Sequence, residues 1–288
     1  MKKIGTATHV KATIKNEDFH IKKKFGQNFL VDQNILQKIV EIPSLTKESL
    51  VIEIGPGMGS LTEHLLNQSK HVLAYEIDSD LIPILKNTFK NSELTIKNSD
   101  FLKCNIDEDI KSLGIEYDRV VVVANLPYYI TTPIIMKIIE ESKEIKEMVL
   151  MMQLEVARRF TSKPSTKDYN SLSIAIQYKT DAQIALKVPR TVFIPAPNVD
   201  SAIVKLVVKD ELEVSPANEK LFYKIVRASF SQRRKTLANN LFSSLSIPKA
   251  YTINMLEELN YNTLARAESL SVTDFIQISD YMNENKAH

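Results

Sequence analysis

Cysteine is almost missing from this 288-residue chain: Cys104 stands alone, which excludes an internal disulfide and any cysteine-rich zinc site and fits a reducing compartment. Histidine is scarce as well, and the five present (His9, His20, His64, His71 and His288) show no metal-ligand spacing, so no metal is expected. Long apolar runs are lacking. None approaches the ~18 residues of a membrane span, and the first residues do not form the apolar core of a secretion signal. These absences point to the cytoplasm. Internal repeats and low-complexity segments are also lacking.

What is present is a globular composition, with 44% hydrophobic residues and a length that suits one large domain plus a small one. The net charge is only +2, yet the cations are clustered. Lys2, Lys3, Lys11, Lys15, Lys22, Lys23 and Lys24 crowd the first 24 residues against Glu17 and Asp18 alone. A second cluster is Arg227, Arg233, Arg234 and Lys235. Basic clusters in a nearly neutral chain suggest a local face for a polyanion.

From about residue 50, short apolar strands alternate with amphipathic helices, the pattern of a parallel α/β sheet. Strands are expected over 50–54, 71–77, 94–98, 120–124 and 147–152, with helices over 60–67 and 79–89. Residues 182–188 and 202–208 alternate apolar and polar side chains and read as two later strands. After Lys209 three amphipathic segments follow, over 219–245, 249–260 and 272–283. The acidic stretch Asp210-Glu211-Leu212-Glu213 with Pro216 marks the boundary.

The most informative residues are Asn125-Leu126-Pro127-Tyr128, directly after the apolar run Val120 to Ala124. An amide, a proline turn and an aromatic ring at a strand end make a receptor for a flat base with an exocyclic amine. Adenine N6 is such an amine, and its lone pair is delocalised into the ring. The Asn125 side-chain oxygen and the Leu126 carbonyl can each take one N6 hydrogen, aiming the lone pair at an electrophile, while Pro127 sets the turn and Tyr128 stacks on the base.

Upstream, Gly55-Pro56-Gly57-Met58-Gly59 lies where the first strand turns into the first helix. Alone, this loop suits a dinucleotide, simple helix packing or a methyl donor equally. Its GxGxG spacing lacks the third glycine of the dinucleotide fingerprint. Glu76 ends the second strand, 21 residues after Gly55, where a carboxylate can take both ribose hydroxyls. Asp100 follows the third strand and is placed to accept from an adenine amine. Glycine loop, Glu76, Asp100 and Asn125 at four successive strand ends converge on one crevice. An adenosine-bearing ligand beside an amine receptor implies S-adenosylmethionine, whose sulfonium is already an activated electrophile.

These residues resemble the small-subunit (16S) ribosomal RNA adenine N6,N6-dimethyltransferases. The likeness runs from about Lys24 to Leu270 and rests on Phe25-Gly26-Gln27-Asn28-Phe29-Leu30, the glycine loop with Leu61-Thr62, and Asn125 to Tyr128. It continues through Phe193 to Ser201, Phe230 to Leu237, and Arg266 to Leu270. The resemblance implies an α/β fold: a Rossmann-like class I S-adenosylmethionine-dependent methyltransferase domain over 25–209, a basic segment over 1–24, and a small all-helical C-terminal domain over 210–288. It implies that Asn28, the Leu30 backbone, Gly55, Glu76, Asp100 and Asn125 hold the donor. Asn125, the Leu126 carbonyl and Tyr128 would handle the target amine, with Phe193 as a second aromatic face. Lys22, Lys23, Lys24, Arg227, Arg233, Arg234 and Lys235 would contact RNA.

The family dimethylates two adjacent adenosines in a loop near the 3′ end of 16S rRNA, so the expected partner is the small ribosomal subunit or its late precursor, met by a monomer. Two related readings stay open at this stage: a large-subunit rRNA adenine methyltransferase, and a non-catalytic assembly or transcription factor that keeps the fold. A nicotinamide oxidoreductase is a third, and it predicts a GxGxxG loop that is not there.

Overall fold

The computed structural model describes residues 4–17, 19–22 and 25–285. Lys2, Lys3, Asp18, Lys23, Lys24 and His288 lie outside the described residues. The strands are β1 (Phe29–Leu30), β2 (Leu50–Ile54), β3 (His71–Glu76), β4 (Leu94–Asn98), β5 (Val120–Asn125), β6 (Ile145–Gln153), β7 (Thr180–Val188), β8 (Phe193–Ile194) and β9 (Ser201–Val208). The chain divides into two units, one of Met1–Ala157 with Gln183–Val208 and one of Arg158–Ala182 with Lys209–His288.

The first unit is built on a sheet of order β4-β3-β2-β5-β6-β9-β7. β4, β3, β2, β5 and β6 pair in parallel, and β9 runs antiparallel to β6. The central strands are apolar at nearly every position because helices cover both faces of a parallel sheet. Val121, Val122 and Val123 of β5 are all 0% exposed, and burying each such side chain contributes roughly 1.5–3 kcal/mol. This is the parallel α/β sheet the alternation predicts, in the Rossmann-like form the resemblance implies. β5 runs one residue further than expected, so that Asn125 stays in the ladder opposite Met151.

The second unit is helical, with a core that includes Phe222, Ile225, Leu241, Met255, Phe275 and Met282. Tyr169, Ile174 and Tyr178 bury in the same core, so Arg158–Ala182 belongs to this unit and the expected 25–209 domain is not one continuous stretch. The helix expected over 219–245 is two helices, Glu219–Ser229 and Leu237–Leu245. Thr236 starts the second by accepting the Asn239 N–H. Arg233, Arg234 and Lys235 therefore stand in a turn. Buried Asn240 braces that turn, its Nδ2 donating to the carbonyls of Ser229 (2.6 Å) and Gln232 (3.0 Å). Among the described residues no helix is long and apolar enough to cross a membrane.

Candidate active site

β2 has β3 on one side and β5 on the other, so strand order reverses there, and open α/β sheets bind ligands beyond the carboxyl ends at such a point. The glycine loop leaves β2 and enters the helix Ser60–Leu66. Gly57 holds φ at 61° and Gly59 at 84°, a region side chains with a Cβ avoid, and a Cβ on Gly59 would overlap the Phe89 ring. Gly55 differs, because a Cβ there would meet nothing within 4 Å; the space beside it is open to a ligand.

Glu76 closes β3 and is 4% exposed. Its Oε2 accepts the Gly57 N–H at 3.1 Å and its Oε1 the Asp78 N–H at 2.8 Å. Burial pushes its pKa up to about 7, against the pull of those N–H donors. Glu53, within β2, accepts the Thr62 hydroxyl at 2.6 Å, and burial pushes it up to about 8, so it keeps its proton at neutral pH. Sequence reasoning passed over Glu53, although one carboxylate inside the apolar run Leu50 to Ile54 was the available signal.

Asn125 donates from Nδ2 to the Asn28 carbonyl at 3.1 Å. With its nitrogen engaged, the amide presents Oδ1 as its acceptor. Leu126 is anchored by its N–H to the Met151 carbonyl (3.2 Å), and Ile130 and Thr131 both donate to the Pro127 carbonyl to close the turn. The Tyr128 hydroxyl is 2.7 Å from Ser201 Oγ, which holds the ring in place. Asn28, Leu30, Gly55, Glu76, Asn125, Leu126 and Tyr128 line a single cavity, and Glu53 joins them.

The segment 25–30 forms one side of this cavity and is tied down at several points. Phe29 and Leu30 pair with Ile194 and Phe193 as β1 and β8. Gln27 Nε2 donates to Asp78 Oδ2 at 2.7 Å, and Lys22 Nζ lies 2.5 Å from both Asp78 and Asp80. Asp78 is 1% exposed, so the lysine charge offsets the desolvation of that carboxylate. Lys22, expected as an RNA contact, is thus held by two carboxylates. Nothing in the sequence flagged Asp78 beyond its place two residues after Glu76.

Asp100 and Phe193 are not among the residues that line the cavity. Asp100 Oδ1 accepts the Leu102 N–H at 3.1 Å and starts the short turn Phe101–Lys103. Phe193, expected as a second aromatic face, is 3% exposed and packs in the apolar core with Leu30 and Ile203.

In the helical unit, Lys220, Lys224 and Arg227 recur on one face of the helix Glu219–Ser229 and line an open groove with Ser231 and Ser244. Sequence reasoning found only Arg227 of the three, although the spacing of four and then three residues was there to read. Arg234 and Lys235 are exposed, and neither forms an ion pair among the described residues. Arg233 is different. It pairs with Glu268 at 3.2 Å and donates to the carbonyls of Thr166 and Lys167, which makes it a brace within the unit.

A family model described as ribosomal RNA adenine dimethylase matches residues 18–284. The chain belongs to that family. It is accordingly a methyltransferase, and the family's chemistry implies S-adenosylmethionine as methyl donor. A Bacillus pumilus relative named ribosomal RNA small subunit methyltransferase A is 46% identical over 98% of each chain. The solved structure of a dimethyladenosine transferase from Plasmodium falciparum superposes with a TM-score of 0.75 at 28% identity, covering 90% of this chain and 98% of that one. The 23S rRNA methyltransferase ErmE gives a TM-score of 0.66 at 25% identity, covering 89% and 100%. Among the described residues, no group of three or more His, Cys, Asp or Glu side chains is placed to hold a metal ion.

Proposed function

We propose that this dimethylase transfers methyl groups to N6 of two adjacent adenosines in the 3′-terminal hairpin loop of 16S rRNA, acting as a monomer on the small subunit or its late precursor. A cytoplasmic site of action goes with that substrate. The observation that carries the reading is Asn125, fixed by Asn28 at the end of β5 in the same cavity as the glycine loop and Glu76. The identity of 46% with a small-subunit enzyme, against 25% with a 23S enzyme, supports the small-subunit substrate.

S-adenosylmethionine, when bound, supplies a methyl group on a sulfonium leaving group. The chain's own residues bind and orient. Gly55 leaves room for the ligand at the loop, Glu76 takes the ribose hydroxyls, and the Asn28 to Leu30 backbone closes the cavity on the other side. Asp100, with one carboxylate oxygen engaged by Leu102, keeps the other for the donor's adenine amine. Asn125 Oδ1 and the Leu126 carbonyl accept the two hydrogens of the target N6, which turns its lone pair out of conjugation. Tyr128, anchored on Ser201, stacks on the extruded base. Loop adenines are partly unstacked, so extrusion costs at most a few kcal/mol.

RNA is held by phosphate contacts from Arg234, Lys235 and the Lys220, Lys224 and Arg227 face, with Arg233 shaping the turn that carries two of them. The deciding experiment incubates the protein and S-adenosylmethionine with unmethylated small ribosomal subunits and, in parallel, with large-subunit rRNA. Nucleoside mass spectrometry should find N6,N6-dimethyladenosine only in the small-subunit sample. Product from large-subunit rRNA alone would overturn the proposal.

A further inference from the structure

Tyr129, the residue after the anchored Tyr128, is 57% exposed. It stands in the turn that the Ile130 N–H closes on the Pro127 carbonyl at 3.2 Å. Its ring lies over Gly26: a Cβ added to Gly26 would sit 3.6 Å from both Cδ1 and Cε1 of Tyr129, and 3.9 Å from Pro127 Cβ. Gly26 and Pro127 both line the cavity, which places the exposed ring at its rim. On another side the ring neighbours Asp100; burial first, and then that carboxylate, raises the phenol pKa. A singly exposed aromatic ring is ordinary on a protein surface. Its position is not, since a flat apolar face borders a cavity built for a flat base.

We propose that Tyr129 is the stacking platform for the adenosine adjacent to the one in the cavity. The inference rests on the adenine-transfer reading above. Drawing one base out of a loop strips its neighbour of a stacking partner, and an aromatic side chain can replace that partner for roughly 1–3 kcal/mol per base. The strand has a fixed polarity, so the platform takes the neighbour on one side only and holds the other member of the pair in one of the two methylation registers. In that register the ring favours a step of two purines, the bases with the larger stacking area.

The test compares wild type, Tyr129→Phe, Tyr129→Leu and Tyr129→Ala on unmethylated small subunits, reading kcat/KM and the methyl content of each of the two adenosines. Donor affinity is read separately by calorimetry. Tyr129→Ala and Tyr129→Leu should lose about ten-fold or more in kcat/KM. Tyr129→Phe should match wild type, and all three variants should bind S-adenosylmethionine as wild type does. Undiminished kcat/KM in Tyr129→Ala would overturn the platform while leaving the adenine reading in place. A loss in Tyr129→Phe equal to that in Tyr129→Ala would overturn it in favour of the hydroxyl, and a parallel loss of donor affinity would do so in favour of a role in shaping the donor cavity. Wild-type inactivity on these subunits would remove the adenine reading and the platform together.

Discussion

The cavity of the sheet unit and the basic surface of the helical unit handle charge in opposite ways. Around the cavity, Glu53, Glu76 and Asp78 are each no more than 4% exposed, and each is tied to a named donor. In the helical unit, Lys220, Lys224, Arg227, Arg234 and Lys235 are exposed and form no ion pairs among the described residues. Buried groups with fixed partners select a small ligand atom by atom. Mobile cations neutralise phosphates wherever the backbone brings them and carry little sequence information. The cavity thus has the chemistry to select a small ligand, and the cations of the helical unit have the chemistry to meet a polyanion. Lys22 and Arg233 mark the limit of judging charges by type, because both are cations spent on internal carboxylates.

The sharpest break in this contrast should come from Asn125→Ala. Deleting a fixed polar group that acts on the reacting atoms should slow methyl transfer by about 100-fold or more, with RNA affinity unchanged. Single-turnover assays alongside filter binding will show this, and near-wild-type turnover would remove the amine-receptor role. The next effect is confined to the other region. Arg234→Glu combined with Lys235→Glu should weaken RNA binding about ten-fold and make the plot of log affinity against log salt shallower by about two, at unchanged donor affinity. A salt series with an unaltered slope would show that these two cations do not meet phosphate.

The smallest effect is a pH dependence centred on Glu76. Ionised, this carboxylate accepts both ribose hydroxyls, so donor affinity should rise with pH up to about 7 and then level off. For folding the sign is reversed. The folded pKa lies above the ordinary 4.5, so the native state holds the extra proton between these values, and stability without donor falls as pH climbs through that window. Glu76→Gln should flatten both profiles, the first by calorimetry and the second by denaturant melts at pH 5 and pH 8. A wild-type affinity that does not change with pH would count against the ribose role.

The sheet was legible in the sequence because its central strands are largely apolar runs, and because a parallel sheet forces residues at successive strand ends together. Gly55, Glu76 and Asn125 met in one cavity for that reason. The helix Ser171–Lys179 was not legible. Leu172, Ile174, Ile176 and Tyr178 alternate as a strand would, and the Asn170–Ser173 capping box overrides that period. The break at 230–236 was hidden because it depends on Asn240 reaching back to two carbonyls. The tie from Lys22 and Gln27 to Asp78 and the bracing role of Arg233 were hidden for a similar reason: these partners lie 35 to 67 residues apart and meet only in the folded chain. Phe193, read from the resemblance as an aromatic face for the base, lies in the apolar core beside Leu30.

The hydrogen bond from Asn125 to the Asn28 carbonyl also explains why this residue is an amide and not an acid. An aspartate there would set an oxygen against the Asn28 carbonyl oxygen and push the segment 25–30 away. An ionised carboxylate only accepts hydrogen bonds, whereas the amide donates from its nitrogen to Asn28 and keeps its oxygen for a second partner.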